Sequence, residues 1–253
     1  MKGKRSFLFV TWDGGGNVPP VLGLAKRLLK QGHHVHILAE PCLQNAIAQL
    51  GAGYTPFTQY FTRLDGSIDL IKDSNAKLLT IPAVENILVR PALGVANETL
   101  QVMNQTKFDV VVADFMMIGS LIAAEVKAVK RVALFHMPEY LPGPGRPPGG
   151  MGLLPLNTRF GRLRDKLLSK IFYSVMDQYL PKLNSVRDSF SLPQYSTFTQ
   201  IYHQADLRLI QTCKAFDAPI TPAPSNVRYI GPILDDPENL KSDHELWPNT
   251  DQR

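Results

Sequence analysis

Short apolar runs alternate with helix-like segments along most of the chain, and this alternation restricts the fold more than any other feature. Repeated strand–helix–strand units form parallel sheets with right-handed crossovers. The sequence therefore predicts an α/β fold, with a Rossmann-like parallel sheet flanked by helices. The strand-like runs lie at residues 6–11, 33–39, 54–57, 108–114, 131–136, 207–210 and 227–230.

The first unit reads as a strand, a glycine loop and a helix. The run from Ser6 to Thr11 is apolar at its centre, as in a strand buried on both faces. Glycines 14–16 lead to Pro19 and Pro20, which suit a first helical turn because they lack an amide proton. Such a loop suits a polar or anionic ligand. Its spacing matches neither G-x-G-x-x-G nor a P-loop, so a tight turn without a ligand stays open.

Polar side chains follow the carboxyl ends of three predicted strands. They are Asp13, Asn17, Asp114 and His136. Ligands of parallel α/β sheets bind outside these strand ends. One rim of the sheet is therefore expected to carry the chemistry of the protein.

Three segments interrupt the alternation. A helical pattern at 82–106 contains Pro91, which predicts a break. The loop at 138–155 is rich in proline and glycine, which is typical of lids and binding loops. The polar segment at 232–253 resembles an interdomain linker, so we expect one domain at 1–231.

Composition excludes several classes of protein. The chain is 44% hydrophobic and 19% charged, which supplies a core and argues against global disorder. No apolar run approaches the roughly 20 residues of a membrane-spanning helix, and the N-terminal run is too short for a signal peptide. Cys42 and Cys213 lack metal-type spacing, which favours reduced thiols. We therefore expect a soluble, cytoplasmic protein.

Neither a metal nor a nucleic acid is predicted as a partner. His33, His34 and His36 do not converge on one face of a strand. The net charge of +5 is scattered, with one denser basic stretch at 159–170. A basic helix face can contact a phosphate or a membrane, but a solvated face is the common explanation. The sequence makes no prediction of oligomeric state.

Several motifs occur in a specific order along nearly the whole chain. Residues 15–28 read Gly-Gly-Asn-Val-Pro-Pro-Val-Leu-Gly-Leu-Ala-Lys-Arg-Leu, and Gly-His-His-Val follows at 32–35. Val-Ala-Asp-Phe at 112–115, Ala-Ala-Glu at 123–125 and Arg-Tyr-Ile-Gly-Pro at 228–232 complete the order. The chain resembles the N-terminal domain of GT-B glycosyltransferases of family one, of the bacterial antibiotic or UDP-glycosyltransferase type.

This resemblance implies transfer of a sugar, with inversion, from a nucleotide diphosphate to a hydroxyl of a small, often apolar acceptor. The first Rossmann-like domain of such enzymes binds the acceptor and carries the base, and the second binds the nucleotide sugar. The chain is expected to stop at the linker, so it would lack the donor domain and be inactive alone. No cofactor is implied beyond the donor substrate.

The sequence departs from the family pattern at position 17. The family's loop histidine, which removes the acceptor proton beside the strand-end aspartate, aligns with Asn17. Asparagine cannot accept a proton near neutrality. Asp13 and Asp114 are the candidate bases, with Asp13 placed slightly ahead and Asn17 orienting a hydroxyl or a sugar oxygen. Turn formation and helix capping are the ordinary roles of such residues, and they stay open for Asp13, Asn17 and Asp114.

The remaining candidates concern the acceptor. His136 is a second candidate base or an acceptor contact, with a purely structural histidine equally open. Gly16, Phe115, Met116 and Arg146 are candidate acceptor-binding residues, although aromatic and methionine side chains at helix entries are more often core. A binding module without catalysis is the competing function. A dinucleotide-binding oxidoreductase is disfavoured by the loop spacing.

Overall fold

The protein forms a parallel α/β sheet. The computed structural model describes residues 3–64, 84–143, 145–149, 151–156, 158–217 and 224–233. Within them seven strands form one sheet in the order β3-β2-β1-β4-β5-β6-β7, with every neighbouring pair parallel. The strands are β1 (Ser6–Val10), β2 (His34–Ala39), β3 (Gly53–Pro56), β4 (Val110–Asp114), β5 (Lys130–Phe135), β6 (Leu207–Ile210) and β7 (Val227–Tyr229). The predicted fold class is confirmed.

Helices connect the strands and cover both faces of the sheet. They are α1 (Val18–Lys30), α2 (Gln44–Leu50), α3 (Ala92–Gln105), α4 (Ile118–Val126), α5 (Arg159–Asp177), α6 (Leu180–Asp188) and α7 (Gln200–His203), with a 3₁₀ turn at Pro41–Leu43 and a π-helical segment at Val84–Val89. The predicted break at Pro91 separates that π-helical segment from α3. Among the described helices, none combines the length and the hydropathy that a bilayer-crossing segment requires.

Two apolar layers hold the sheet between the helices. Alternate residues of a strand point to opposite faces, so Leu8 joins one layer and Phe9 the other. The Phe9 layer includes buried residues of α1 and α2, and the Leu8 layer includes buried residues of α3 and α4. Each fully buried side chain of this size contributes roughly 1.5–3 kcal/mol relative to an exposed one. The helical periodicity of apolar residues in the sequence thus determines which face of each helix packs against the sheet.

Strand order and register create the rim on which the polar residues meet. The chain runs from β1 outward to β3, and then returns to β4 on the other side of β1. The loops leaving β1 and β4 lie at this reversal, which is the place where ligands bind in open α/β sheets. Val10 is in register with Ala113, and Asp114 with Leu134. The residues that follow β1, β4 and β5 therefore lie at the same level.

The glycine positions refine the sequence interpretation. Of the three loop glycines, only Gly15 has a positive φ, at 81°. Gly32 and Gly51 follow α1 and α2 and adopt φ of 82° and 72°, the left-handed conformation in which helices commonly end. The predicted linker lies outside the described residues from position 234 onward, so it stays a prediction.

Candidate active site

Asp114, the last residue of β4, is the centre of the candidate site. Its side chain is fully buried. Oδ1 accepts a hydrogen bond of 3.0 Å from the Met116 amide, and Oδ2 accepts one of 2.6 Å from Asn17 Nδ2. Burial raises the pKa of Asp114, against the opposing effects of His136, the Met116 amide and Asn17. The carboxylate is therefore held in a fixed orientation at the rim.

Asn17 is a buried clamp between the glycine loop and β4. Its Nδ2 donates to Asp114 Oδ2 at 2.6 Å and to the Trp12 carbonyl at 2.8 Å, and lies 3.3 Å from Thr11 Oγ1. Its Oδ1 accepts from the Gly14 amide at 3.0 Å. Although Asn17 directly precedes α1, its side chain makes no capping hydrogen bond. The helix-cap alternative is therefore not what the structure shows.

His136 follows β5 and faces the same carboxylate. Its Nδ1 lies 3.7 Å from Asp114 Oδ2, and has no hydrogen-bond partner among the described residues. The imidazole also contacts the Phe115 ring, with 5.2 Å between centroids. Burial lowers the pKa of His136, and Asp114 opposes this shift. A neutral imidazole beside a carboxylate is suited to accepting a proton.

Asp13 stabilises the turn of the glycine loop. Its Oδ1 accepts a 3.0 Å hydrogen bond from the Gly15 amide, and its Oδ2 lies 3.7 Å from the Cys42 thiol. Burial, together with Glu40 and Asp13, raises the pKa of Cys42 to about 11, so the thiol stays protonated and can donate. Within the described part of the chain, no hydrogen bond or ion pair joins Asp13 to Asp114. The predicted role of Asp13 as a base stays a prediction.

A buried ion pair that the sequence interpretation missed supports this loop. Glu40 is fully buried directly after β2, and its carboxylate binds Arg63 Nε at 2.8 Å and Nη2 at 3.0 Å. Glu40 also accepts from the Asp13 amide at 3.1 Å, and Arg63 donates to the Asp13 carbonyl. The position of Glu40 directly after a predicted strand was an available signal, similar to that of Asp114 at the end of β4. Arg63 lies in an irregular segment and carried no such signal.

Three of the predicted acceptor residues lie close to the site in sequence. Phe115 is buried and stacks on Phe135 with 5.2 Å between centroids, and Met116 is partly buried against the core. Gly16 is exposed, and a Cβ built there would have no neighbour within 4 Å. The acceptor-binding roles of these residues stay predictions.

The structure places Arg146 in a buried ion cluster. Its Nη2 binds Glu139 Oε2 at 2.6 Å, and its Nη1 binds Asp217 Oδ2 at 3.3 Å. Glu139 also pairs with Arg208 of β6, and Tyr229 of β7 donates to Asp217 at 2.7 Å. This part of the predicted lid is therefore tied to the sheet. No contact joins Arg146 to Asp114 within the described ranges, and its role toward an acceptor stays a prediction.

The comparisons agree with the fold. No family model matches the sequence. The 4'-demethylrebeccamycin synthase of Lentzea aerocolonigenes is 24% identical over 234 residues, which are 90% of this chain and 56% of that protein. The solved glycosyltransferase of kitacinnamycin has a TM-score of 0.68 at 13% identity, over 98% of this chain and 56% of its own. The calicheamicin glycosyltransferase CalG4 has a TM-score of 0.63 at 16% identity, over 92% and 53%.

The chain spans about half the length of the curated relative and of the solved structures that it matches. Its architecture is that of one Rossmann-like half of a GT-B fold, as the sequence predicted.

Proposed function

We propose that this chain is the N-terminal, acceptor-binding part of an inverting glycosyltransferase. The reaction would move a sugar from a nucleotide diphosphate to a hydroxyl of a small, apolar acceptor. The observation that carries the proposal is the pair of Asp114 and His136 at the carboxyl rim, 3.7 Å apart, with the Asp114 carboxylate held by Asn17. A second Rossmann-like domain would bind the donor, so this chain alone would be inactive.

In this proposal His136 is the general base. Its Nδ1 faces Asp114, which leaves Nε2 to take the proton of the acceptor hydroxyl. The oxygen attacks the anomeric carbon of the donor as the bond to the nucleotide diphosphate breaks. The imidazolium that forms is stabilised by the Asp114 carboxylate. The 3.7 Å separation is expected to shorten to hydrogen-bond length at that stage, since catalytic hydrogen bonds often tighten when substrate binds.

The replacement at position 17 fits this assignment. In the pattern that the chain resembles, the imidazole reaches the strand-end aspartate from the loop after the first strand. Here Asn17 occupies that place and donates to Asp114, while the imidazole comes from the end of the neighbouring strand β5. An aspartate and a histidine are thus paired at the same rim, but here the histidine follows β5 and does not come from the loop after β1.

A turnover assay tests the proposal. The protein extended by its donor-binding half is incubated with nucleotide sugars and hydroxylated apolar acceptors, and nucleotide release is measured. The expected result is release only when an acceptor is present, and none when its hydroxyl is methylated. Acceptor binding without release would favour the non-catalytic binding module, for which the loss of the loop histidine at Asn17 is the specific observation.

A further inference from the structure

Helix α5 exposes an apolar stripe to the solvent. Phe160 is 86% exposed, Leu163 66%, Leu167 58% and Ile171 49%. Residues spaced by three and four positions lie on one side of a helix, so these four side chains form a continuous row. Single exposed apolar residues are normal on protein surfaces, whereas contiguous rows mark interaction sites.

A basic stripe runs beside the apolar one. Arg159, Arg162, Lys166 and Lys170 are all exposed, and each precedes a member of the apolar stripe by one position. This offset of about 100° places the two stripes next to each other. The acidic residue in this stretch, Asp165, is buried and binds Arg164 at 2.7 Å. The exposed side of α5 is therefore apolar and cationic.

The third side of α5 attaches the helix to the domain. Thr158 Oγ1 accepts from the Gly161 amide at 3.0 Å, which caps the helix. Phe172 packs against Tyr140 with 5.9 Å between centroids, and the Tyr173 hydroxyl donates to the Pro142 carbonyl at 3.1 Å. Because these contacts fix the rotation of the helix, the apolar stripe faces outward in the folded domain.

A cavity opens beside the basic stripe. Its volume is about 650 Å³, and its lining includes Arg162 and Lys166 together with Asp165, Tyr173 and His203. Arg162 and Lys166 give this opening a cationic side that adjoins the apolar stripe. Charge and apolar surface thus occur together, as in helices that lie in a bilayer interface.

We propose that α5 binds the surface of an anionic phospholipid bilayer. The apolar stripe would enter the boundary of headgroups and acyl chains, and the basic stripe would contact lipid phosphates. Leu154, 78% exposed, and Leu156, 46% exposed, extend the apolar surface before the helix. A second copy of the chain is a poorer occupant, because an antiparallel symmetric contact between the apolar stripes would bring the two basic stripes to the same side. The inference does not depend on the proposed glycosyl transfer.

Vesicle flotation tests the inference. The 253-residue chain is mixed with vesicles of neutral phosphatidylcholine, or of phosphatidylcholine with about one third phosphatidylglycerol, at low and at physiological salt. The expected result is flotation with the anionic vesicles alone, weakened by salt. No flotation, or equal flotation with both compositions, would overturn the proposal.

Matched variants separate the stripe from general effects. Leu167→Glu should reduce the vesicle-bound fraction at least tenfold, while Leu64→Glu changes an exposed leucine outside α5 and should have no such effect. Lys170→Glu should weaken binding more than Lys4→Glu, which changes the net charge equally. Unchanged circular dichroism establishes that the variants fold.

Two further results would count against the bilayer. If light scattering shows a dimer that Leu167→Glu dissociates, the stripe is a contact between copies. If a form extended by a donor-binding half no longer floats, the stripe contacts that half.

Discussion

Asn17 Nδ2 and Asp114 Oδ2 lie 2.6 Å apart, although the two residues are separated by 97 positions in the sequence. The contact joins the loop after β1 to the end of β4 inside the protein, since Asn17 is only 2% exposed. Position 17 therefore positions the carboxylate at the rim. Because asparagine cannot accept a proton near neutrality, the general base of the proposed reaction has to be another residue.

Replacing Asn17 should destabilise the domain. Asn17→Ala leaves Asp114 Oδ2, the Trp12 carbonyl and the Gly14 amide without their shared partner, which should lower the free energy of unfolding by about 1–3 kcal/mol. Urea denaturation of this chain measures the change. Asn104→Ala, at an exposed position of α3, is the control and should stay within about 0.5 kcal/mol of wild type. Equal stability of all three proteins would contradict the role of Asn17 as a clamp.

The imidazole of His136 should have a pKa below that of an ordinary histidine. Burial lowers its pKa below the ordinary value of about 6.5, and the Asp114 carboxylate opposes that shift. Because a lowered pKa keeps the ring neutral, His136 can accept a proton down to a lower pH than a histidine with the ordinary pKa. Asp114→Asn should lower the pKa of His136 further, because the opposing charge is removed.

Nuclear magnetic resonance titration of this chain and of the variant measures both values. A pKa of His136 at or above the ordinary value of about 6.5, or one that does not move in Asp114→Asn, would contradict the electrostatic pairing.

The ion cluster under the 138–155 loop should be costly to break. Glu139→Gln leaves the buried Arg146 and Arg208 without their shared carboxylate, and should destabilise the protein by about 3–5 kcal/mol. Glu85→Gln removes one partner of the more exposed pair with Lys182, and should cost about 1 kcal/mol or less. Thermal and urea denaturation compare the two variants. Similar costs would show that the cluster does not hold the loop.

The sequence was sufficient for the sheet because its signals are local. Strands buried on both faces must be continuously apolar, and Gly32 and Gly51 mark helix stops through their φ. The meeting of Asn17 and Asp114 was also predictable, because parallel strands bring their carboxyl ends to one edge. The direction in which each side chain points at this edge does not follow from the strand pattern.

Contacts between residues far apart in the sequence explain why the sequence alone could not rank the candidate site residues. Asp13 and His136 are both strand-end residues, but the Asp13 carboxylate is engaged by an amide two positions on, whereas His136 reaches Asp114 through the pairing of β4 with β5. Arg146 binds Asp217, 71 positions away, which the sequence did not predict. The basic stretch of α5 was recognised in the sequence. The exposure of the apolar residues beside it became known only from the packing of the helix.

The most direct test of the proposed mechanism compares two variants of the protein that carries its donor-binding half. His136→Gln should lower kcat about 10²-fold or more, because a general base contributes about 10²–10⁴. Asp13→Asn should stay within a few-fold of wild type, because its carboxylate serves the glycine turn. Wild-type turnover in His136→Gln together with loss of turnover in Asp13→Asn would contradict the assignment of His136 and support Asp13 as the base.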